Sequence, residues 1–536
     1  MNAPCLSTET PIERIFRSRY LTFALLALFI LLFAGIRYRL RALPLERDEG
    51  EYAYIGQLLL QHIPPFRLAY SMKLPGTGAA YAVLLALFGQ SASGIHFGFM
   101  LVNVIAILLV YLLGARLPGP LLGLIAGVTY ALLSIGITVE GFAAHATHFV
   151  VPAVLAATLL LLRAIERNRA MLLLLSGVLF GAGYVMKQQA SPFIVFGALY
   201  LVICDFRSKA SVQRVVQRQA VYWIGAALPY AVVCLLLWHA GVFRSFWFWT
   251  FSYASQYVSA NPVWPALRFL RRQLPVIVFP AFPMWWLALL GLSALIWKRR
   301  LCKFPLLVVS FLVFSGLAVC PGWYFRLHYF VLLLPAVSLL AGLAILAAVR
   351  WLYAWKQSNA LAALPLLLFA AAFAWSIFYQ REVFFRMSPV EFSQVHYYQS
   401  AFSEAQDVAA YIREHTNEDA RIAVLGSEPE IYFYSHRHSA TGYIYMYPLI
   451  ETHKYAGQMQ ADMIREIETS RPEIVVFVDT ADSWIGFPGH PHLIDDWIPG
   501  YLSSNYARVT IPSESATETN GASSGKLRVY KRNATW

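Results

Sequence analysis

Charged residues are scarce in this chain of 536 residues. They make up 13% of it, about half of the ~25% typical of soluble proteins, while hydrophobic residues make up 58%. This balance excludes a disordered chain, a collagen and an ordinary soluble enzyme, and it indicates a membrane protein with several spans. Cysteine is scarce as well: the chain has five, without a CxxC pair, so no disulfide framework is expected.

Acidic residues are the rarest charged group in the apolar part. Residues 1–381 hold 30 Lys and Arg against nine Asp and Glu, a net charge of +21, whereas 382–536 hold 12 against 20, a net charge of −8. The overall charge of +13 is therefore unevenly spread, and we expect no nucleic-acid partner. We predict a transmembrane domain over 1–380 and a soluble domain over 381–536, long enough for a core of its own.

Apolar runs of roughly 17–25 residues predict eleven membrane spans. The run 76–89 is short and rich in Gly and Ala, so it is either a twelfth span or a helix in the membrane interface. The first span follows three Arg and lacks a clear cleavage site, which favours an uncleaved span over a signal peptide. The predicted spans are 20–38, 95–115, 121–139, 145–162, 170–186, 190–205, 219–239, 276–297, 304–320, 328–349 and 360–380.

The basic loops set the expected orientation. If 76–89 lies in the interface, most basic clusters fall on the side of the N-terminus, which is then cytoplasmic, in the plasma (inner) membrane. Two features run against this pattern: Arg37, Arg39 and Arg41 follow the first span, and 240–275 carries four Arg. This orientation makes the acidic domain extracytoplasmic.

The acidic segment has the pattern of a small α/β domain. Helical and apolar stretches alternate along it, which predicts a partly parallel sheet. The predicted helices are 404–415 and 458–469, and the predicted strands are 421–425, 473–479, 508–511 and 527–530.

Four of the nine acids lie within six residues, from Glu46 to Glu51, just after the first span. A solvated loop is the ordinary explanation of such a run. The run opens an amphipathic stretch, Tyr52–Leu60, that would hold it against the membrane surface. In a segment so poor in acids, this setting favours a functional site.

Three cations are expected on the same outer face. Lys73 lies in the first outer loop, Lys187 lies between two short apolar runs, and Arg326 opens a late span. A single Lys near a membrane commonly reaches toward headgroups, and Arg326 with Tyr329 could be an interfacial anchor. Together the cations suit an anionic lipid headgroup, and the carboxylates suit a base for a second substrate.

Two histidines lie near Glu140, which is expected on the same outer face as the acids of the first loop. Glu140 precedes His145 and His148, which are three residues apart and could bind a metal together with a carboxylate. Two hydrogen-bonded structural histidines are the alternative. The sequence requires no cofactor, and it leaves a divalent metal possible.

In their order and sidedness these motifs resemble the integral-membrane GT-C glycosyltransferases, specifically the group of protein O-mannosyltransferases and lipid A aminoarabinose transferases. The resemblance covers roughly residues 20–350. Two features depart from the family pattern: Leu74-Pro75-Gly76 replaces a usual Pro-Pro element, and His145 and His148 occupy the first turn of the fourth span. The matching elements are Asp48-Glu49, Tyr52, Lys73 with Pro75, Gly181 and Gly183 before Lys187-Gln188, and His328-Tyr329-Phe330 with Pro335.

The resemblance implies a mainly α-helical GT-C fold of about eleven spans, with interfacial helices in the first outer loop and a C-terminal α/β domain. It implies transfer of a hexosyl or pentosyl group from a polyprenyl-phosphate-linked donor to an acceptor hydroxyl of a lipid, glycan or protein on the extracytoplasmic face. Inversion is expected for direct displacement. The resemblance implies Asp48 as the base and Lys73 as a ligand of the lipid phosphate. The chemistry of the displacement adds Glu49 to the catalytic carboxylates and Lys187 and Arg326 to the phosphate ligands. The expected supporting residues are Tyr52, Glu140, His328 and Tyr329.

Two other function classes stay open at this stage. A polytopic transporter or lipid flippase predicts charges at the bilayer midplane and paired inverted repeats. A membrane-anchored binding or assembly protein predicts that the soluble domain does the work and that the acids of the first loop are dispensable.

Overall fold

Helices dominate the computed structural model, which describes residues 9–259, 262–297, 304–397, 400–484, 489–511 and 526–534. The helices within these ranges are α1 Pro11–Ile15, α2 Arg19–Arg39, α3 Arg47–Leu60, α4 Gly76–Phe88, α5 Ala92–Arg116, α6 Pro120–Leu133, α7 Ala146–Arg167, α8 Ala170–Met186, α9 Ser191–Arg207, α10 Val212–His239, α11 Phe243–Trp247, α12 Ala254–Ser259, α13 Val263–Val278, α14 Phe282–Trp297, α15 Pro305–Val319, α16 Leu334–Lys356, α17 Asn359–Tyr379, α18 Pro389–His396, α19 Phe402–His415, α20 Glu430–Ser435, α21 Tyr447–Ile450, α22 Ala456–Ser470 and α23 Leu493–Asn505.

Among the described residues, eight helical segments are long and apolar enough to cross a membrane, and four apolar helices are shorter. Among the shorter ones, α4 has 13 residues and rises about 20 Å, less than the ~30 Å hydrocarbon core, which suits an interfacial helix. The other three coincide with predicted spans, so the count of eleven stays a prediction. The eight long segments are Tyr20–Arg39, Ala92–Arg116, Ala146–Arg167, Gln188–Arg207, Val212–His239, Trp264–Ile296, Leu334–Lys356 and Asn359–Tyr379.

The chain forms two compact units. The first comprises Met1–Arg39, His96–Val233 and Val258–Arg386, and the second comprises Leu40–Ile95, Cys234–Tyr257 and Met387–Trp536. Most of the acidic segment therefore shares its unit with Leu40–Ile95, which follows α2, and with a short stretch around α11. The predicted domain boundary at residue 380 stays a prediction.

The first unit is a helical bundle built around α6 and α16. Every residue of α6 from Leu121 to Leu133 is buried, as expected for a helix that is apolar on all faces. Helix α6 packs against α2 and α16, and α16 also packs against α14 and α17. At Gly291 in α14, an added Cβ would lie 1.9 Å from the carbonyl oxygen of Leu340 in α16, so this close helix crossing requires glycine.

Two of the arginines that disturb the charge pattern have structural partners. The Arg37 guanidinium donates to the carbonyl oxygens of Gly141 and Ser134 at 2.6 and 2.9 Å, and it lies 4.8 Å from the centroid of the Phe99 ring. Arg39 donates to the carbonyl oxygen of Phe384 at 3.0 Å. Both side chains therefore donate hydrogen bonds to backbone carbonyls of the first unit. This structural role accounts for two basic residues that do not follow the expected distribution of Lys and Arg between the two sides of the membrane.

The second unit contains a five-stranded mixed sheet. Its strands are β1 Arg421–Leu425, β2 His438–Ser439, β3 Ile474–Val478, β4 Tyr506–Val509 and β5 Leu527–Arg532. In the order β2-β1-β3-β5-β4, β1 runs parallel to β2 and β3, whereas β5 runs antiparallel to β3 and β4. The predicted small, partly parallel sheet is confirmed. The predicted strand 508–511 begins two residues too late, and the two-residue β2 was missed because it is too short to show an alternating pattern.

Helix α3, which follows α2 in the chain, packs closely against other elements of the second unit. Its N-terminus is closed by a capping box between Glu46 and Glu49. At Gly50 an added Cβ would lie 2.5 Å from the backbone nitrogen of Glu430, so α3 lies directly against α20. One turn on, the ring of Tyr54 stacks on Tyr432 with centroids 5.2 Å apart. The acidic run is therefore held on a rigid helix start.

Candidate active site

A lysine between two carboxylates forms the centre of the candidate site in the second unit. Asp48 and Glu51 lie three residues apart on α3 and so share a helix face. The Lys73 ammonium reaches both, at 2.8 Å from Asp48 Oδ1 and 2.5 Å from Glu51 Oε2. The Asp48 side chain is 24% exposed and the Glu51 side chain 2% exposed, so Asp48 is the more accessible carboxylate of the pair.

Hydroxyl groups and aromatic rings complete this cluster, which we call the acid–lysine cluster (Asp48, Glu51, Lys73, Ser71 and Tyr445). The Ser71 hydroxyl donates to Glu51 Oε1, and the Tyr445 hydroxyl donates to Asp48 Oδ1 at 3.1 Å. The Lys73 ammonium lies 4.6 Å from the Tyr52 ring centroid and 5.6 Å from that of Tyr445. Cation–π contacts of this kind add to the charge pairing.

The electrostatics of the cluster keep Lys73 charged. Burial alone would lower the pKa of Lys73, but the carboxylates of Asp48 and Glu51 outweigh burial and hold that pKa well above its ordinary value. Burial raises the pKa of Glu51, and Lys73 opposes this rise only in part. Burial, followed by the charge of Asp48, raises the pKa of Tyr445 well above its ordinary value, so Tyr445 remains a hydrogen-bond donor to Asp48.

The sequence-predicted residues of the first loop have different roles in this geometry. Asp48 and Tyr52 both lie in contact with Lys73. Glu49 belongs to the capping box of α3, where its carboxylate accepts from the backbone nitrogen of Glu46 at 3.3 Å. Glu51 belongs to the acidic run but was given no role of its own in the sequence analysis, and it is this residue, not Glu49, that pairs with Lys73.

A second group of predicted residues meets in the first unit. Glu140 Oε2 lies 2.8 Å from His328 Nδ1 and 2.9 Å from His145 Nε2. The two imidazole rings stack with centroids 4.0 Å apart. Glu140 itself has φ of 54°, a left-handed conformation that is uncommon outside glycine and is frequent at functional sites. We call these three residues the Glu–His cluster.

The protonation states of the Glu–His cluster follow from burial and hydrogen bonding. Burial would raise the pKa of Glu140, but the hydrogen bonds from His145 and His328 outweigh it and hold that pKa well below its usual range. Burial, together with the neighbouring His145 and Lys187, lowers the pKa of His328 to about 3. At neutral pH, Glu140 is thus a carboxylate and His328 a neutral imidazole. Because a carboxylate only accepts, His328 donates from Nδ1.

His148 stands apart from this cluster. It is buried in α7, and its ring packs edge-on against Phe99 with centroids 4.8 Å apart. Neither of its ring nitrogens has a hydrogen-bond partner among the described residues. The two-histidine set expected at His145 and His148 is therefore replaced by His145 and His328, which are far apart in sequence.

The remaining predicted cations also lie in the first unit. The Lys187 ammonium is 4.6 Å from the centroid of the Tyr329 ring, next in sequence to His328. Arg326 is exposed, and its guanidinium lies 5.6 Å from the Tyr324 ring centroid. Lys187 and Tyr329 are thus brought together with the Glu–His cluster, as the effect of Lys187 on the pKa of His328 also indicates.

Comparisons with known proteins agree on the family type. Residues 73–239 match the family model described as dolichyl-phosphate-mannose-protein mannosyltransferase. No curated protein matches the chain. Several solved structures align over most of it. ArnT from Cupriavidus metallidurans, bound to undecaprenyl phosphate, is 13% identical, with a TM-score of 0.62 and coverage of 97% of this chain and 99% of that chain.

Archaeal oligosaccharyltransferases align as well. AglB from Archaeoglobus fulgidus, in complex with an inhibitory peptide and a dolichol-phosphate, is 12% identical, with a TM-score of 0.56 and coverage of 96% of this chain and 75% of that chain. The Archaeoglobus fulgidus oligosaccharyltransferase in complex with Zn and sulfate is 14% identical, with a TM-score of 0.53 and coverage of 85% and 68%.

At such low identities these structures establish the fold, which is the GT-C fold predicted from the sequence. The family model adds the enzyme class and favours it over the transporter and the binding protein. The resemblance drawn from the sequence is confirmed: residues 73–239 match the mannosyltransferase family model, and the chain has the fold of the GT-C glycosyltransferases over most of its length.

Proposed function

We propose that this enzyme moves a sugar from a polyprenyl-phosphate-linked donor to an acceptor hydroxyl on the extracytoplasmic face, with inversion at the anomeric carbon. The acid–lysine cluster carries the proposal: Lys73 bridges Asp48 and Glu51 at 2.8 and 2.5 Å, and Asp48 is partly exposed. The aligned ArnT structure is bound to undecaprenyl phosphate and the aligned AglB structure to a dolichol-phosphate, which supports a lipid-phosphate donor here.

The chemistry that this proposal requires is a direct displacement. The acceptor oxygen forms a bond to the anomeric carbon while the bond from that carbon to the phosphate oxygen breaks. The acceptor proton passes to the Asp48 carboxylate, and the leaving lipid phosphate gains one negative charge. A base near the acceptor and cations near the departing phosphate therefore suffice.

We assign the cationic role first to Lys73 and then to Lys187 and Arg326. Lys73 is held charged by its neighbours, and a lysine can exchange one carboxylate partner for a phosphate oxygen because both are anionic acceptors. A cation–π contact with the Tyr329 ring orients the Lys187 ammonium. Tyr52 does the same for Lys73.

The Glu–His cluster offers the donor set of a divalent metal. Two imidazole nitrogens and one carboxylate oxygen are the ligands of many zinc sites, and here His145 Nε2 and His328 Nδ1 lie 2.9 and 2.8 Å from the same oxygen, Glu140 Oε2. Glu140, His145 and His328 would hold the ion, which would supply positive charge for a phosphate. The base role proposed for Asp48 does not depend on it.

The proposal is tested by lipid and glycan mass spectrometry of cells with and without the gene. The expected result is loss of one sugar from one envelope component, together with accumulation of its polyprenyl-phosphate donor. Cells that show the same sugars and the same donor pool in both cases contradict the proposal.

Lys73→Ala should raise the donor KM by roughly 10- to 100-fold, since a charge-assisted hydrogen bond contributes about 1.5–3 kcal/mol. Steady-state kinetics with varied donor and saturating acceptor measure the change. Lys73→Arg keeps the charge and is expected to keep most of the affinity. An unchanged donor KM in Lys73→Ala removes this residue from the phosphate-binding role.

We propose that the N-terminus is cytoplasmic and that the acidic segment is extracytoplasmic, on the evidence of the basic loops. A reporter that matures only outside the cytoplasm should be active when fused after residue 400. The same reporter should be silent after Arg167, which ends α7. A silent fusion at 400 with an active one at Arg167 reverses the assignment.

A further inference from the structure

We propose that His490, His492 and Asp495 form a second metal site, suited to Zn²⁺, on the surface of the second unit. The site lies at the start of α23. Its residues take no part in the acid–lysine cluster or in the Glu–His cluster, so the inference goes beyond the proposed transferase activity and does not depend on it.

The ligand atoms already have most of the required geometry. His490 Nε2 lies 3.2 Å and His492 Nδ1 3.1 Å from the same oxygen, Asp495 Oδ2. All three ligand atoms lie within 4.8 Å of one another. In a tetrahedral zinc site with bonds of about 2.0–2.1 Å, neighbouring ligand atoms are about 3.3 Å apart. Two edges of the tetrahedron are therefore close to this length, and the third, between the two imidazole nitrogens, is at most 4.8 Å long.

The donor types and their exposure suit a transition metal rather than calcium or magnesium. Two imidazoles and one carboxylate favour Zn²⁺, whereas Ca²⁺ and Mg²⁺ prefer all-oxygen sites. The His492 side chain is 67% exposed and that of Asp495 42% exposed, so an ion can enter from solvent and keep water as its fourth ligand.

The backbone that carries the two histidines is held in place by a buried amide. Gln460 of α22 is fully buried; its Nε2 donates to the carbonyl oxygen of Pro491 at 2.7 Å, and its Oε1 accepts from the backbone nitrogen of Ile494 at 3.1 Å. Pro491 also restricts φ between the two histidines. This support limits the conformational entropy that an ion must overcome on binding.

Binding would join the loop at 490–492 to the first turn of α23. An ion that binds the folded state and not the unfolded one raises the melting temperature with concentration. We therefore expect zinc, and not magnesium, to stabilise the second unit.

The test uses the full-length protein in detergent, stripped of metal and titrated with Zn²⁺ by calorimetry and with Co²⁺ by visible absorption. His492→Ala and Asp495→Asn should each weaken binding at this site at least tenfold and remove its tetrahedral cobalt bands. His415→Ala, which changes another exposed histidine of the same unit, should leave both unchanged.

The Glu–His cluster is a second place where zinc could bind, so each titration is repeated in a Glu140→Gln background. Zinc binding and cobalt bands that persist there and vanish on adding His492→Ala support the surface site. Absence of zinc binding in the Glu140→Gln background, or binding that His492→Ala leaves unchanged, overturns it. Equal melting temperatures of the metal-free variants show that the loss is not a loss of fold.

Discussion

Asp48→Asn is expected to lower kcat by about 10²- to 10⁴-fold, the range that a positioned general base contributes. The substitution keeps the shape of the side chain and leaves an amide oxygen that can still accept from Tyr445 and Lys73. It removes only the capacity to take a proton. Donor binding should therefore change little, and the loss should appear in kcat at saturating donor and acceptor.

Glu51 is a poorer candidate for the base, although it lies at the same lysine. Ser71 donates to one of its oxygens and Lys73 to the other, and only 2% of the side chain is exposed. An acceptor hydroxyl would have to displace one of these partners. We expect Glu51→Gln to act through the placement of Lys73, which raises the donor KM more than it lowers kcat.

The control for both variants is Asp479→Asn, since Asp479 pairs with Arg528 at an exposed position of the same unit. It should keep wild-type kinetics. Wild-type kcat in Asp48→Asn, or a greater loss of kcat in Glu51→Gln than in Asp48→Asn, contradicts the assignment of the base.

Asp48 could be predicted as a site residue from the sequence because acids are so rare in the surrounding segment. The helix period could have added Glu51 to the prediction. Asp48 and Glu51 are three residues apart, which places them on one face of a helix. The choice of Glu49 followed the paired Asp-Glu of the family motif. In the structure Glu49 caps the N-terminus of α3 instead. It lies three residues after the N-cap residue Glu46, the position from which an acidic side chain closes a capping box.

Two other contacts of the candidate site could not be predicted from the local sequence pattern. Tyr445 donates to Asp48 from 397 residues away, and His328 meets Glu140 across 188 residues. Such contacts depend on tertiary packing, which no periodicity encodes. The apolar runs, by contrast, predicted the helical bundle well, because the length and polarity of a span are set by the bilayer.

A second large effect is expected for Arg47→Met, this time on stability. Arg47 opens α3 and donates from Nε to the carbonyl oxygen of Ser427 at 2.6 Å. Its Nη1 and Nη2 donate to the Tyr447 hydroxyl and Glu428 Oε1 at 2.6 and 2.7 Å. The Glu428 side chain is completely buried and that of Arg47 is 13% exposed. Methionine keeps much of the apolar stem and removes every donor.

The free energy of unfolding of the second unit should fall by about 3–5 kcal/mol, because the variant leaves a buried carboxylate without its cation. Hydrogen exchange at the amides of β1 and β3 measures this loss locally, within the second unit. Arg528→Met is the matched control: its pair with Asp479 is exposed and should contribute no more than about 1 kcal/mol. Equal exchange rates in Arg47→Met and Arg528→Met would contradict the anchoring role.

A double variant separates the charge from the hydrogen bonds. Adding Glu428→Gln to Arg47→Met removes the charge of the fully buried carboxylate, whereas Asp482, the second carboxylate that pairs with Arg47, keeps its charge. The new glutamine is a side chain that Ser483, the donor to Glu428 Oε2, can still contact. If the unpaired charge causes most of the loss, the double variant should be more stable than Arg47→Met alone. If the lost hydrogen bonds to Ser427 and Tyr447 cause most of the loss, the second substitution should not restore the free energy of unfolding. We expect the first result, because leaving a buried carboxylate unpaired costs more than losing the hydrogen bonds to the two neutral acceptors, Ser427 and Tyr447.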